Sequence, residues 1–341
     1  MHLNGSPGAE PRRPRLTPPI ADARRAVRHG LAAVALAPGS LVLVGLSGGA
    51  DSLALAAATA FEAPRAGLRA GAVTVDHGLQ PDSAGVAARA AEQASALGLV
   101  PVLVERVAVV ARGSGPEGDA RAARYAAFDR ALRESGAVRI LLAHTLDDQA
   151  ETVLLGLARG SGPTSLHGMR LDAGPLLRPF LVLRRQTTRA FCVDSGLEPW
   201  EDPHNEDSSY TRVRVRRETL PMLERDLGPG VAEALARTAE QLREDNEALD
   251  GLALEWAREL VSQTEDGAVA LDVRGLAADP AALRQRIIRL VVSAEFGVSL
   301  SRAHTLAVAE LITDWHGQGP LSLPGVRVVR QNGLLTFHTT S

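Results

Sequence analysis

The sequence predicts an α/β fold, a doubly wound parallel sheet followed by a smaller helical and mixed C-terminal domain. Three observations predict it. Short, almost continuously apolar runs alternate with longer helix-forming spans, as strands buried on both faces do. Each cluster of chemistry-bearing polar residues begins where one of those runs ends, at the edge where such sheets bind ligands. Beyond about residue 225 the alternation stops and a long helical segment opens a different texture.

The elements follow in order. Residues 1–19, with "PRRPRLTPP", hold too much Pro and Gly and too little apolar surface to order, and read as a disordered tail. A helix from Ala21 leads into a first strand at Leu41–Leu46. A second strand at Ala72–Val75 precedes a helix over Ser83–Leu97, and a third at Val100–Val104 precedes a helix over Ala120–Glu134. The fourth strand, Arg139–Ala143, feeds a helix that begins near Leu146. Residues 20–225 form one domain, and 226–341 a helical linker with a small C-terminal domain. In the long helix Val231–Val261, Leu235, Leu242, Leu249, Leu252, Trp256 and Leu260 fall near heptad spacing. Thr238 and Asp245 interrupt the stripe, which favours packing within its own domain over a dimerising coiled coil. A strand at Val269–Val273, two helices between Asp279 and Trp315, and a hairpin at Val326–Phe337 close the chain. Asn332-Gly333 supplies the positive-φ turn that hairpin needs.

Composition narrows the function. All 37 basic residues of the 341 are arginine, and the net charge of -3 excludes a uniformly basic nucleic-acid binder. Any contact with RNA would have to come from local arginine clusters. A single cysteine, Cys192, excludes an internal disulfide, a CxxC redox pair and a cysteine zinc cluster, and reads as a small buried hydrophobe. Pro38-Gly39 interrupts the apolar run Leu31–Leu46 before it reaches membrane-spanning length. The arginine-bearing N-terminus lacks the apolar core of a secretory signal. A cytoplasmic protein with no membrane partner is the expectation.

The chemistry starts at "SGGADS", Ser47-Gly48-Gly49-Ala50-Asp51-Ser52, between the first strand and a helix. Backbone amides at a glycine-rich turn, backed by a helix N-terminus, make a concave anion site. Asp51 beside phosphates would repel them unless a metal lies between, so it implies Mg2+. The stretch lacks the Gly-Lys-Ser/Thr ending of a Walker A loop and the third glycine of a dinucleotide loop. Asp76 and His77 end the second strand, where they can read an adenine or ribose or merely cap the strand. After the fourth strand, "HTLDDQAET" brings His144 beside a helix on which Asp148 and Glu151 share a face. Such a set can bind metal, orient an amine or move a proton. Arg212, Arg214 and Arg216 alternate with Val213 and Val215, so an extended segment would put three guanidinium groups on one side to grip phosphate or stack on a base. Arg184, Arg185 and Arg189 are weaker candidates for that work.

Ser-Gly-Gly-x-Asp-Ser after a first strand resembles the pyrophosphate loop of the N-type ATP pyrophosphatases, the PP-loop superfamily. Within it, "EGDARAARY" (Glu117–Tyr125), "RGSGPTSLHGM" (Arg159–Met169), "WEDPHNEDSSYTRVRVR" (Trp200–Arg216) and Leu220-Pro221 make the chain similar to the shorter form of the tRNA(Ile)-lysidine synthases. The departures are His204 in place of a small hydroxyl residue, Val213 in place of Asn and Gly118 in place of Ala. The resemblance implies ATP-dependent ligation of free lysine to C2 of the wobble cytidine of tRNA(Ile) with a CAU anticodon. An adenylated cytidine is the intermediate, and AMP and pyrophosphate are released. It implies Ser47–Ser52, Asp76 and His77 as the ATP site, with Asp51 on Mg2+. Arg124 and His144 would serve the reacting centre, Asp148 and Glu151 the lysine ammonium, and Arg212, Arg214 and Arg216 the tRNA. Which of Asp148, Glu151 or His144 takes the amine proton stays open, as does a homodimer. A 2-thiocytidine synthetase would need paired cysteines, and a glutamine-fed ligase a glutaminase domain. A nucleotide-binding regulator would have little use for the second acidic cluster.

Overall fold

The computed structural model describes residues 16–78, 82–110, 115–160, 162–265 and 267–340, and it divides into two compact units, Met1–Ala239 and Glu240–Ser341. In the first unit α1 (Pro18–Ala33) leads to β1 (Leu41–Gly45), α2 (Ala50–Glu62), β2 (Arg69–Asp76), α3 (Ser83–Ala96), β3 (Val102–Arg106), α4 (Gly115–Ser135), β4 (Arg139–Leu141) and α5 (Leu146–Ala158). The short α6 (Pro163–Leu166) and the two-residue strands β5 (Asp172–Ala173) and β6 (Leu176–Leu177) follow. Then come α7 (Arg185–Asp194), α8 (Thr211–Arg214), a π-helical segment Val215–Thr219, α9 (Leu220–Leu227) and the start of α10 (Val231–Leu260). The expected tail is shorter at its inner end: Pro18 and Pro19 open α1, where a missing N–H deprives no helical acceptor. Residues 1–15 of that tail lie outside the described residues, as does Ser161 of the quoted "RGSGPTSLHGM" stretch.

The sheet runs β3-β2-β1-β4-β6-β5, parallel except for β5 against β6. The chain winds outward from β1 through β2 and β3, then returns to add β4 on the other side of β1. That reversal defines the doubly wound fold and opens a crevice beyond the ends of β1 and β4. Strand β1 shows why its sequence is continuously apolar. Val42 and Val44 enter a core with α1, α2, α3 and α7, whereas Leu41 and Leu43 enter a second core with Phe128 of α4 and Ile140. Gly71 in β2 has a separate cause: a Cβ there would stand 2.5 Å from the Pro101 carbonyl oxygen.

In the second unit, β7 (Val261–Gln263), β8 (Val269–Asp272), α11 (Val273–Ala278), α12 (Ala281–Phe296), α13 (Arg302–Thr313), β9 (Leu321–Leu323), β10 (Val326–Gln331) and β11 (Leu334–Thr339) form an antiparallel sheet, order β7-β8-β11-β10-β9, with helices over it. The β10–β11 hairpin turns through Asn332 at φ 53° and Gly333 at φ 78°. Helix α10 carries the division between the units within its length, C-terminal to the expected 225–226 boundary. Its apolar stripe packs inside each unit: Leu235 with Ala150 and Leu220, and Leu249, Trp256 and Leu260 with the second unit's core.

Phe180, fully buried in the first core, is a direct probe of this packing. Phe180→Ala should destabilise the first unit by about 3–5 kcal/mol, read as a lower urea midpoint with an unchanged m-value.

Candidate active site

At the crevice, β1 ends at Gly45 and α2 begins at Ala50, with Gly49 as an N-cap that receives no side-chain cap. Gly48 turns the chain at φ +84°, where a residue with a Cβ is strained although space is available. Hydroxyls pin the turn: Ser52 Oγ donates to the Gly49 carbonyl at 2.9 Å and accepts from the Ser47 amide at 3.2 Å. The Trp200 amide donates to the Gly48 carbonyl at 2.9 Å, which fastens a later loop to the turn. The amides of the first turn of α2 thus border a cleft of about 1390 Å³ lined by Ser47, Asp51, His77, Arg124, His144 and Asp148, among others.

The end of β2 supplies Asp76 and His77. Ser83, the Gly78 amide and Arg106 hold the Asp76 carboxyl below its ordinary range despite burial. Arg124 of α4 points its Nε at His77 Nε2 across 3.5 Å. Burial, with Arg124 adding to it, lowers the His77 pKa, and its Nδ1 is buried without a partner among the described residues. The end of β4 supplies His144. Burial pushes its pKa down to about 4, against the pull of Asp148 and with the help of Arg178, Arg121 and Arg212. Its Nδ1 too is buried and unpartnered among the described residues.

The next residue, Thr145, caps helix α5 in a capping box, in which its hydroxyl accepts from the Asp148 amide and the Asp148 carboxylate accepts from the Thr145 amide. That box aims Asp148 Oδ1 at the arginines of α7 and the π-helical segment. Arg185 donates through Nη2 to Asp148 at 2.7 Å, through Nη1 to Glu151 at 3.3 Å and through Nε to Asp51 at 3.4 Å. Arg216 donates to both oxygens of Glu151, at 2.8 and 3.2 Å, and to Asp148 at 3.3 Å. Arg212 Nε lies 3.3 Å from Glu151 Oε2. Glu151 itself has no exposed surface. Burial works to raise Asp148, but Arg185 and the Thr145 hydrogen bonds outweigh it and hold the carboxyl below its ordinary range. Burial lifts Asp51 above its range, although Arg185 and the Thr188 hydroxyl, which donates to it, pull the other way.

The expected extended segment at Arg212–Arg216 is a correction. These residues lie in α8 and the π-helical segment, so Arg212 and Arg216 share a face and converge on Glu151. Arg214 turns away, donating to the Ser208 and Ser209 carbonyls at 2.7 and 2.9 Å and so bracing its own loop. The three guanidinium groups do not form one open row. Asp147, which the helix dipole alone would explain, also accepts from the Arg185 amide at 2.7 Å and from Arg184 at 3.2 Å. Arg185, Thr188 and Trp200 complete the site. Of these, Arg185 read in the sequence as a weaker candidate for gripping phosphate and Trp200 as the opening of "WEDPHNEDSSYTRVRVR", while no signal pointed to Thr188. Cys192 is buried, with its thiol directed at the Ala50 carbonyl.

Among the described residues no three His, Cys, Asp or Glu side chains converge to hold a metal by themselves. Asp51 fits a different arrangement. A single desolvated carboxylate beside an amide cradle suits a Mg2+ shared with nucleotide phosphates and water.

Residues 23–223 match the PP-loop domain family, and residues 271–336 match the TilS substrate binding domain. The chain is 80% identical over 303 residues to the tRNA(Ile)-lysidine synthase of Leifsonia xyli subsp. xyli, covering 89% of this chain and 91% of that protein. The chain belongs to the tRNA(Ile)-lysidine synthase family. Its synthase relative from Thermobifida fusca is 52% identical over 318 residues, with 92% and 96% covered. Among solved structures, the U34-tRNA thiolase NcsA from Methanococcus maripaludis, with its [4Fe-4S] cluster, aligns at a TM-score of 0.55 and 19% identity over 66% of this chain and 80% of that one. That likeness concerns the fold. A lysidine synthase of this family is a ligase that consumes ATP.

The burial of His144 makes a pH prediction. In an NMR titration its ring should titrate near pH 4 and stay neutral from pH 6 upward. Because the unfolded chain then binds more protons than the folded one between about pH 4 and 6.5, stability should fall as pH drops through that window. His144→Gln should flatten the fall.

Proposed function

We propose that the protein joins free lysine to C2 of the wobble cytidine of tRNA(Ile) bearing CAU, through an adenylated cytidine, with release of AMP and pyrophosphate. The observation that carries the reading is that the amide cradle and the Asp148 carboxylate open into one cleft at the switch point of the sheet. The cradle amides would receive the departing pyrophosphate. Asp51 would hold Mg2+, which when bound offsets the charge that develops on the phosphates. Arg124 would meet the α-phosphate with its planar fork.

The second step needs an uncharged amine. Asp148, with Glu151 behind it, would draw in the lysine ammonium, and those same anions favour its charged form. An ammonium has no lone pair, so attack comes from the fraction of lysine whose nitrogen has already lost one proton to solvent. Once that neutral nitrogen bonds to the electron-poor ring, its next proton becomes far more acidic. His144, kept neutral by burial, can then take the proton even though it is a weak base. Arg189 on the cleft wall, together with the outer face of Arg216, would meet RNA phosphate. The substrates, ATP and tRNA, set the work in the cytoplasm.

The test supplies ATP, Mg2+, labelled lysine and unmodified tRNA(Ile) carrying CAU. Label in the tRNA with matching AMP release is the expected result; ATP consumption without incorporation would point to another ligase. Asp51→Ala should slow adenylation by about a hundredfold or more and leave tRNA affinity nearly unchanged. Equal loss of tRNA binding would contradict a role on the metal.

A further inference from the structure

The acids proposed to receive the lysine ammonium already hold cations. Asp51, Asp148 and Glu151 face Arg185, Arg212 and Arg216, three carboxylates against three guanidinium groups, linked by contacts of 2.7 to 3.4 Å. Glu151 is saturated. Its Oε1 accepts from Arg185 and Arg216, and its Oε2 from Arg216 with Arg212 alongside. The cluster is neutral as it stands. A further cation brought in would be unpaired in a poorly hydrated place, which is costly.

The three arginines differ in what else they touch. Arg212 and Arg216 stand one helical turn apart on the segment that Val213 and Val215 anchor in the interior. Arg185 sits at the first position of α7 and is alone in reaching both groups of acids: Asp51 beside the cradle, and Asp148 with Glu151 on α5. It is also on the wall of the cleft.

We propose that Arg185 is the resident cation of the ammonium site and a specificity-determining residue for the order of binding. Resting on the function proposed above, the exchange runs as follows. A divalent ion arriving at Asp51 removes one partner of the Arg185 guanidinium, and nucleotide phosphates offer it new ones. The guanidinium swings from Asp148 and Glu151 toward the phosphates, the acids regain net negative charge, and the lysine ammonium takes the vacated position. Without nucleotide the site is closed to amines; with nucleotide it is open. Amine and nucleotide thus bind with positive coupling, which must be reciprocal.

Calorimetry with L-lysine on the intact protein, with and without Mg2+ and a non-hydrolysable ATP analogue, reads this directly. In the wild type the analogue should tighten lysine by about tenfold or more, and lysine should tighten the analogue by the same factor. Arg185→Met should bind lysine almost equally well in both states. Arg185→Lys, which keeps a cation in place, should retain part of the coupling. Equal lysine affinity with and without the analogue in the wild type would overturn the proposal, and that measurement needs no variant. Equal weakening by Arg185→Met in both states would make the residue a structural pairing partner only. If instead Glu151→Gln leaves lysine affinity with the analogue unchanged, the assignment of the ammonium site itself fails, whatever Arg185 does.

Discussion

Glu151 is an ionisable side chain with no solvent contact, placed on the first turns of α5 just beyond the end of β4. Burying a carboxylate costs several kcal/mol unless cations and hydrogen bonds meet it on every side. Here the cations come from α7, α8 and the π-helical segment, so one buried charge gathers three later stretches of chain onto the crevice. Asp147 reinforces the arrangement by accepting from the Arg185 backbone amide. The loop-rich region after β6 therefore becomes a wall of the cleft, held by these ion pairs together with the apolar packing of Phe180, Phe191 and Leu220.

The sheet does the complementary work on the other side. Reversal of strand order between β1 and β4 leaves the end of β1 uncovered, and the chain fills it with a turn whose charge comes from amides. A protein without lysine can hold phosphate this way, because the partial charges at a helix start need no cationic side chain. Asp51 then stands where amide cradle and acid cluster meet, and its raised pKa reflects a carboxylate with too little water around it.

Local features of this molecule were legible in the sequence, and distant pairings were not. The cradle lies within six consecutive residues and its signal is complete there. Strand β1 was readable because burial on both faces leaves an unbroken apolar run, and β4 because Ile140 and Leu141 run on into Leu142 and Ala143. Strands β2 and β3 extend to polar residues, Arg69 and Arg106, whose place is set by pairing with neighbours and not by hydropathy. The short strands β5, β6, β7 and β9 have too few residues to show a period. The Val-Arg alternation at 212–216 has the period of a strand, yet the segment is helical. The carboxylate that decides the matter stands 65 residues before Arg216 in the chain. Arg185 read only as a weaker candidate for phosphate for the same reason, since the acid partners that fix its place lie 134, 37 and 34 residues away.

The central claim is that the amides from Gly48 to Ser52 receive the two phosphates that ATP gives up. A crystal structure with Mg2+ and a non-hydrolysable ATP analogue tests it most directly. The β- and γ-phosphates should lie within hydrogen-bonding distance of those amides, with the metal between them and Asp51. Phosphates seated elsewhere in the cleft, with the turn unliganded, would contradict the account.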